Sequence, residues 1–336
     1  EFALRRAAAG DEVSVFSRHC PVADLPKGIR QLRGDRDSRA DLAALGEESW
    51  DVVLDNICFS EEQARLGMET AGRRAGLWLM VSTGDTHLAV KGALSPFTED
   101  ECASLPELPP ALADSYGYGK LRAEKALLVA YHETGFPAVI IRFPIVIGPG
   151  DPKLRAYSYW LRLADGHPLI VPDGGRRYRR YIYSGDAARA LELAALSPEK
   201  AAGEIFHFGD SAPLTLSEWL DISASLSGRS AQSSDIPSDW LSAQGYDFSS
   251  SPYWLAQDYV LGITKAEAIF GWRSSDNRGW LAETMRWYFE SYEGPVPENY
   301  ALRARENALV ERWVSMGGRL RTLPLAANSG RGVLLK

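Results

Sequence analysis

Short apolar runs alternate with amphipathic stretches along the first half of the chain, and no other feature narrows the fold as much. Residues 12–16, 50–55, 77–82 and 138–143 are strand-length and rich in Val, Ile, Leu, Phe and Trp. Between and around them lie helix-length segments at 2–9, 37–45, 61–75 and 116–134. In the last of these, Ala123, Leu127, Ala130 and Tyr131 recur at helical spacing. Strands alternating with helices predict an α/β chain with a parallel sheet.

The second half is mixed. Helices are expected at 153–163, 186–196 and 216–226, and strands at 168–171, 180–183 and 204–208. A looser stretch rich in Ser, Asp and Pro runs from 227 to 252. Past Gly294 the pattern is helical over 298–316. A Gly- and Arg-containing tail follows, expected to be mobile or an interface arm. The predicted division is a dinucleotide-binding domain over 1–150, which segments such as 181–208 also join, a substrate domain mainly over 151–293, and a C-terminal extension over 294–336.

The opening is unusual for such a sheet. The helix at 2–9 leads straight into a strand, whereas a doubly wound sheet places a strand and a Gly-x-x-Gly-x-x-Gly turn before that helix. A missing central strand forfeits several aliphatic side chains at ~1.5–3 kcal/mol each, against a total stability of ~5–15 kcal/mol. The expectation is that residues precede Glu1 in the natural protein, or that another segment fills the slot.

Composition excludes several classes. The 336 residues are 45% hydrophobic, enough for a large core, and carry a net charge of −7, which disfavours a nucleic-acid or anionic-membrane partner. The three cysteines (Cys20, Cys58, Cys102) are far apart, no CxxC occurs and the five histidines are scattered. No metal site or disulfide framework is expected, and reduced thiols in a cytoplasmic protein fit best. No apolar run reaches the ~18–20 residues of a membrane span, and no signal peptide is visible.

The strongest chemical feature is Tyr116-Gly-Tyr-Gly-Lys120 at the start of the long helix. Spacing i, i+4 puts Tyr116 and Lys120 on one helical face. A free tyrosine titrates near 10, and a neighbouring cation lowers that value, making the phenol useful for proton transfer. Upstream lies Leu77-Trp-Leu-Met-Val-Ser-Thr-Gly-Asp85, an apolar strand ending in hydroxyls; downstream lies Ile140-Ile-Arg-Phe-Pro-Ile-Val-Ile-Gly-Pro-Gly-Asp151. Then come Tyr181-Ile-Tyr-Ser-Gly-Asp-Ala-Ala-Arg-Ala190 and Ile263-Thr-Lys-Ala-Glu-Ala-Ile-Phe-Gly-Trp272.

In this order and spacing, over roughly residues 1–290, these blocks resemble the extended short-chain dehydrogenases/reductases, the NAD(P)-dependent group of epimerases, dehydratases and reductases. The resemblance implies a Rossmann-type doubly wound sheet with a smaller mixed α/β substrate domain. It implies Thr83, Tyr116 and Lys120 as catalytic: Thr83 holds the substrate oxygen, Tyr116 is the general acid/base, and Lys120 binds the nicotinamide ribose and depresses the tyrosine. Where the dehydratase branch carries Asp-Glu, this chain has Gly84-Asp85, which argues against dehydration and leaves Asp85 a substrate contact or a turn cap.

For the cofactor, Ser17 and Arg18 end the second strand of the family pattern where NAD-selective members place an acid. An arginine suits a 2′-phosphate, so NADP is favoured and NAD remains open. Asp35 and Arg36 are expected beside the adenine, Asn56, Ile57 and Cys58 at the floor of the cofactor cleft, and Pro144, Ile145 and Val146 by the nicotinamide. Ile145 stands where nucleotide-sugar epimerases carry Asn, which tilts the reading toward a reductase acting on the secondary alcohol or ketone of a small or tailoring substrate. Arg179 is the candidate for a substrate diphosphate, and His207 for either a substrate contact or a structural role. The alternatives are a nucleotide-sugar epimerase using transient oxidation, and a non-catalytic or RNA-binding protein on the same fold. The helices at 61–75 and 116–134 commonly form a dimer contact in the family, so a homodimer is expected.

Overall fold

The computed structural model describes residues 1–19, 25–90, 93–102 and 115–325. They form two compact units, the first built from 1–144, 184–209 and 261–274, the second from 145–183, 210–260 and 275–336.

The first unit opens with helix α1 (Phe2–Ala8) and strands β1 (Ser14–Ser17) and β2 (Arg30–Arg33), which pair in parallel. Helix α2 (Arg39–Leu45), strand β3 (Val53–Asp55), helix α3 (Glu61–Glu69), strand β4 (Trp78–Thr83), helix α4 (Tyr116–Thr134) and strand β5 (Ala138–Phe143) follow. A parallel four-stranded sheet orders Ile205–His207, β5, β4, β3. This is the expected Rossmann-like α/β arrangement. Among the described residues no strand joins β3 to the β1–β2 pair.

The caps are written in the sequence. Ser38, Ser60 and Ser115 accept hydrogen bonds from the amides of Asp41, Gln63 and Tyr118, closing the first turns of α2, α3 and α4. Gly135, at φ 74°, ends α4 in the left-handed conformation that costs glycine little. The helix expected over 61–75 breaks at Thr70, and residues 71–74 continue as a 3₁₀ turn. Thr70 Oγ1 takes the Leu66 carbonyl (2.5 Å) that the continuing α-helix would have used, and its amide turns to Gly67.

Strand register sorts the sheet face beneath α4. Trp78, Met80, Ala138 and Ile140 pack with Ala123, Ala126 and Leu127 of α4. At the C-terminal end of the same face the apolar rows give way to Ser82, Arg142 and His207, which lie side by side in register.

In the second unit, Ile145–Ile147 pairs in parallel with Tyr181–Tyr183. Its core is aromatic: Trp160, Trp219, Tyr159, Tyr253 and Tyr288 are buried, and Trp160 stacks on Trp219 at 5.9 Å. The stretch expected to be loose contains a strand, Gln232–Ile236, and a helix, Ser238–Ala243. That strand lies between Leu169–Pro172 and Leu320–Thr322 and bonds to both. The tail over 320–322 is thus a paired strand. Upstream of it, helix Arg303–Ser315 is tied down by two buried ion pairs, Arg162–Glu306 at 2.6 Å and Arg303–Asp165 at 2.7 Å. No described helix is long and apolar enough to cross a membrane.

Candidate active site

The sites read from the sequence in the first unit lie at or just beyond strand ends and at the start of α4. Ser17, Asp55, Thr83 and Phe143 end parallel strands, and Tyr116 opens α4. The carboxyl ends of parallel strands are where open α/β sheets bind ligands.

Thr83 and Tyr116 are neighbours. Thr83 Oγ1 accepts the Asp85 amide at 3.2 Å, fixing the side chain at the strand end. The nearby Thr83 hydroxyl draws the Tyr116 phenol down. Burial and then the Asp85 carboxylate outweigh it, so the phenol sits above its ordinary value. The ring is about half exposed and lies 6.0 Å from Phe59. The two glycines between Tyr116 and Lys120 explain how α4 comes this close. A Cβ on Gly117 would lie 2.2 Å from the Asp85 carbonyl oxygen, and one on Gly119 2.5 Å from that of Phe59.

Lys120 departs from expectation. Its side chain is buried, Nζ donates to the Val81 carbonyl at 2.7 Å, and the ammonium lies 4.8 Å from the centre of the Phe59 ring. Burial lowers its pKa against the pull of Cys58, Asp55 and Glu124. The cation is turned to a carbonyl and a ring face, and the Tyr116 phenol is raised; the predicted depression of the tyrosine is therefore corrected. Phe59, which sequence reasoning missed, has its backbone held by Gln63 Oε1 (2.6 Å) and its ring about half exposed. A bulky aromatic directly after a strand-end loop was the available signal.

Around the cofactor positions, the exposed Arg18 guanidinium lies 3.9 Å from Asp35. Asp35 Oδ1 accepts the Asp37 amide. Arg36 is buried on Asp55, with Nη2 2.7 Å from both the carboxylate and the Gln63 carbonyl, while Nη1 has no hydrogen-bond partner. Asn56 and Ile57 are exposed. Cys58 is corrected as a side-chain contact: its thiol is fully buried in the core beneath α4, and burial pushes its pKa up to about 12. Pro144 is buried at the end of the first unit.

Ile145 and Val146 form a strand in the second unit, both half-buried. Arg179, also in the second unit, is buried with its guanidinium 5.5 Å from the Tyr259 ring centre, and its Nε has no partner. His207 is fully buried, so its reading as a substrate contact is corrected. Its Nδ1 meets the Gly262 carbonyl at 3.1 Å, and its Nε2 meets His87 Nε2 at 3.2 Å and Arg142 Nη1 at 3.3 Å. Burial, then Arg142, holds both imidazoles far below their ordinary value, His87 at about 3. Both are neutral at physiological pH. Among the described residues, no group of three or more His, Cys, Asp or Glu is arranged to hold a metal ion.

Residues 69–209 match the family profile described as "NAD dependent epimerase/dehydratase family". UDP-D-apiose/UDP-D-xylose synthase 2 of Arabidopsis thaliana is 30% identical over 154 residues, covering 40% of this chain and 39% of that protein. The chain spans less than half the length of each curated relative it matches. Epimerase Mth375 of Methanothermobacter thermautotrophicus superposes with a TM-score of 0.67 at 19% identity, over 87% of this chain and 89% of that one. UDP-glucuronic acid 4-epimerase of Bacillus cereus, solved with UDP-glucuronic acid and NAD, gives 0.64 at 19%, over 86% and 94%. These structures share the fold.

Proposed function

With residues 69–209 belonging to the NAD dependent epimerase/dehydratase family, we propose that the chain is a nicotinamide-dependent oxidoreductase of the extended short-chain type, working on a secondary alcohol or ketone. The observation that carries this is the Thr83–Tyr116 pair at the carboxyl edge of a parallel sheet, with Lys120 one turn along. The residues present fit a nicotinamide nucleotide. Ser17 and Arg18 offer a hydroxyl and an exposed cation to a ribose or its phosphate, which favours NADP over NAD. Arg36 has a buried N–H without a partner, and the exposed Ile57 and Phe59 offer apolar surface to a ring.

When bound, the nucleotide supplies or accepts the hydride. Thr83 hydrogen-bonds the substrate oxygen. Tyr116, whose phenol burial and Asp85 raise above its ordinary value, gives its proton to a carbonyl oxygen. Glycine at position 84 argues against dehydration, and isoleucine at 145 tilts the reading from a nucleotide-sugar epimerase toward a reductase. A nucleotide-sugar epimerase is the second reading. It is favoured by Arg179, whose buried, unpartnered Nε suits an anionic group, and by the nucleotide-sugar names among the relatives. A homodimer is proposed for either reading, and light scattering at micromolar concentration tests it: a clean monomer mass overturns it.

The test is titration with NADPH and NADH, following nicotinamide fluorescence, with Tyr116→Phe beside the wild type. The expected result is NADPH binding by both proteins and turnover of small ketones by the wild type alone. Turnover of UDP-sugars instead selects the epimerase. A folded wild type that binds neither nucleotide overturns the oxidoreductase reading.

A further inference from the structure

Below the site lies a buried polar array that the proposed chemistry does not use. Glu124 sits on α4 two turns beyond Tyr116 and one beyond Lys120, and its carboxylate is buried. Ser82 Oγ of β4 donates to Glu124 Oε1 at 2.5 Å. Arg142 of β5 forks onto the same carboxylate, Nε to Oε1 at 3.0 Å and Nη2 to Oε2 at 2.6 Å. The guanidinium's third nitrogen, Nη1, reaches the Glu99 carbonyl and His207 Nε2, each at 3.3 Å. Ser82 and Arg142 face each other in register. One carboxylate thus ties together the ends of β4 and β5 and the helix that carries Tyr116.

An ion pair buried among apolar layers is not explained by stability, because the desolvation of both partners offsets their attraction. What it adds is geometry: a bidentate fork fixes orientation as well as distance. The apolar contacts around Ala123 and Leu127 are non-directional and allow α4 to slide along the sheet. The site tolerates little sliding, because Thr83 directly follows Ser82 and Gly117 is already against the Asp85 backbone.

We propose that Glu124 is a positioning residue which, through Ser82 and Arg142, sets the depth and rotation of α4 so that the Tyr116 phenol meets the Thr83 hydroxyl. The inference rests on the reading of Tyr116 as the proton-transfer group. Ser82→Ala removes one of the ties and no charge. Glu124→Gln keeps the shape and removes the charge, and Ser82→Ala keeps the test open if Glu124→Gln does not fold.

The readout is the Tyr116 resonance of protein labelled with [¹³Cζ]tyrosine, assigned by its loss in Tyr116→Phe and titrated with pH. The neighbouring Thr83 hydroxyl draws the phenol down, so moving it away shifts the midpoint upward, by about half a pH unit for an interaction weakened by ~0.7 kcal/mol. Ser82→Ala is expected to show that shift, and Ser82→Thr, which keeps the hydroxyl, to restore the wild-type midpoint. A Ser82→Ala protein with the wild-type Tyr116 titration, whatever its melting temperature, overturns the proposal and leaves Glu124 a packing residue. NADPH and NADH titrations of the same samples separate the two claims: a wild type that binds neither nucleotide defeats the oxidoreductase reading, while the tyrosine midpoint alone judges the positioning role.

Discussion

Replacing Gly117 by alanine sets two physical effects against each other. Gly117 lies in the first turn of α4, where intrinsic helix propensity alone favours alanine by up to ~1 kcal/mol. The close approach acts in the opposite direction. An added Cβ would stand 2.2 Å from the Asp85 carbonyl oxygen, 2.8 Å from its carbon and 3.4 Å from the Thr86 amide nitrogen. The nearest contact falls about 1 Å short of an ordinary carbon–oxygen separation, and the obstructing atoms are backbone, so no rotamer change relieves it. Overpacking of this kind costs ~1–3 kcal/mol. Taking the upper half of that range and subtracting the propensity gain leaves a net loss of ~1–2 kcal/mol. The displaced helix also carries Tyr116 away from Thr83. The expected outcome is a urea midpoint and melting temperature below wild type, with weaker nicotinamide-nucleotide binding. Gly135→Ala, where no atom lies within 4 Å but φ is +74°, is the control that lowers stability without touching the site. A Gly117→Ala protein as stable as wild type, or more so, would refute the close-approach argument.

Acid should weaken the protein before its carboxylates titrate. His87 and His207 are held neutral in the folded state, far below the unfolded value near 6.5. Their contribution is therefore complete above about pH 6.5 and is lost as pH falls below it, for His87 down to about 3, at ~1.4 kcal/mol per pH unit per histidine; urea midpoints that stay flat between pH 7 and 5 would contradict this. Glu306→Leu leaves the Arg162 and Arg303 guanidinium groups buried without their shared carboxylate. It should cost ~3–5 kcal/mol in chemical denaturation, and a loss below 1 kcal/mol would mean that water or Asp165 compensates. Cys58, buried and shifted up to about 12, should resist a disulfide reagent at pH 8 until the protein unfolds, tested with Cys20 and Cys102 replaced by serine; rapid labelling of the native protein would contradict the burial.

Much of the first unit was legible in the sequence because its signals are local. The Ser caps, the period-3.6 apolar stripe of α4 and the Gly135 stop delimit 116–134, and the aliphatic run delimits 138–143; both match the structure residue for residue. Helix spacing alone puts Tyr116 and Lys120 on one face of α4; Thr83 was added to them only through the family resemblance. Other features were decided only by tertiary contact. The strand Gln232–Ile236 carries no apolar alternation and forms because partners on both sides take its backbone hydrogen bonds. Thr70 broke a helix through one side-chain bond.

The electrostatics were furthest from reach. Sequence spacing puts a cation near the Tyr116 phenol, but the fold turns Lys120 toward Val81 and Phe59 and raises the tyrosine by burial and Asp85. His207 was open to a substrate contact or a structural role until strand register set it beside Arg142. A pKa depends on which groups surround a side chain and how much water they displace. Residue order alone determined the local elements of the first unit such as α4 and β5; the sheet and the helix packed on it decided where their reactive groups point and how they are charged.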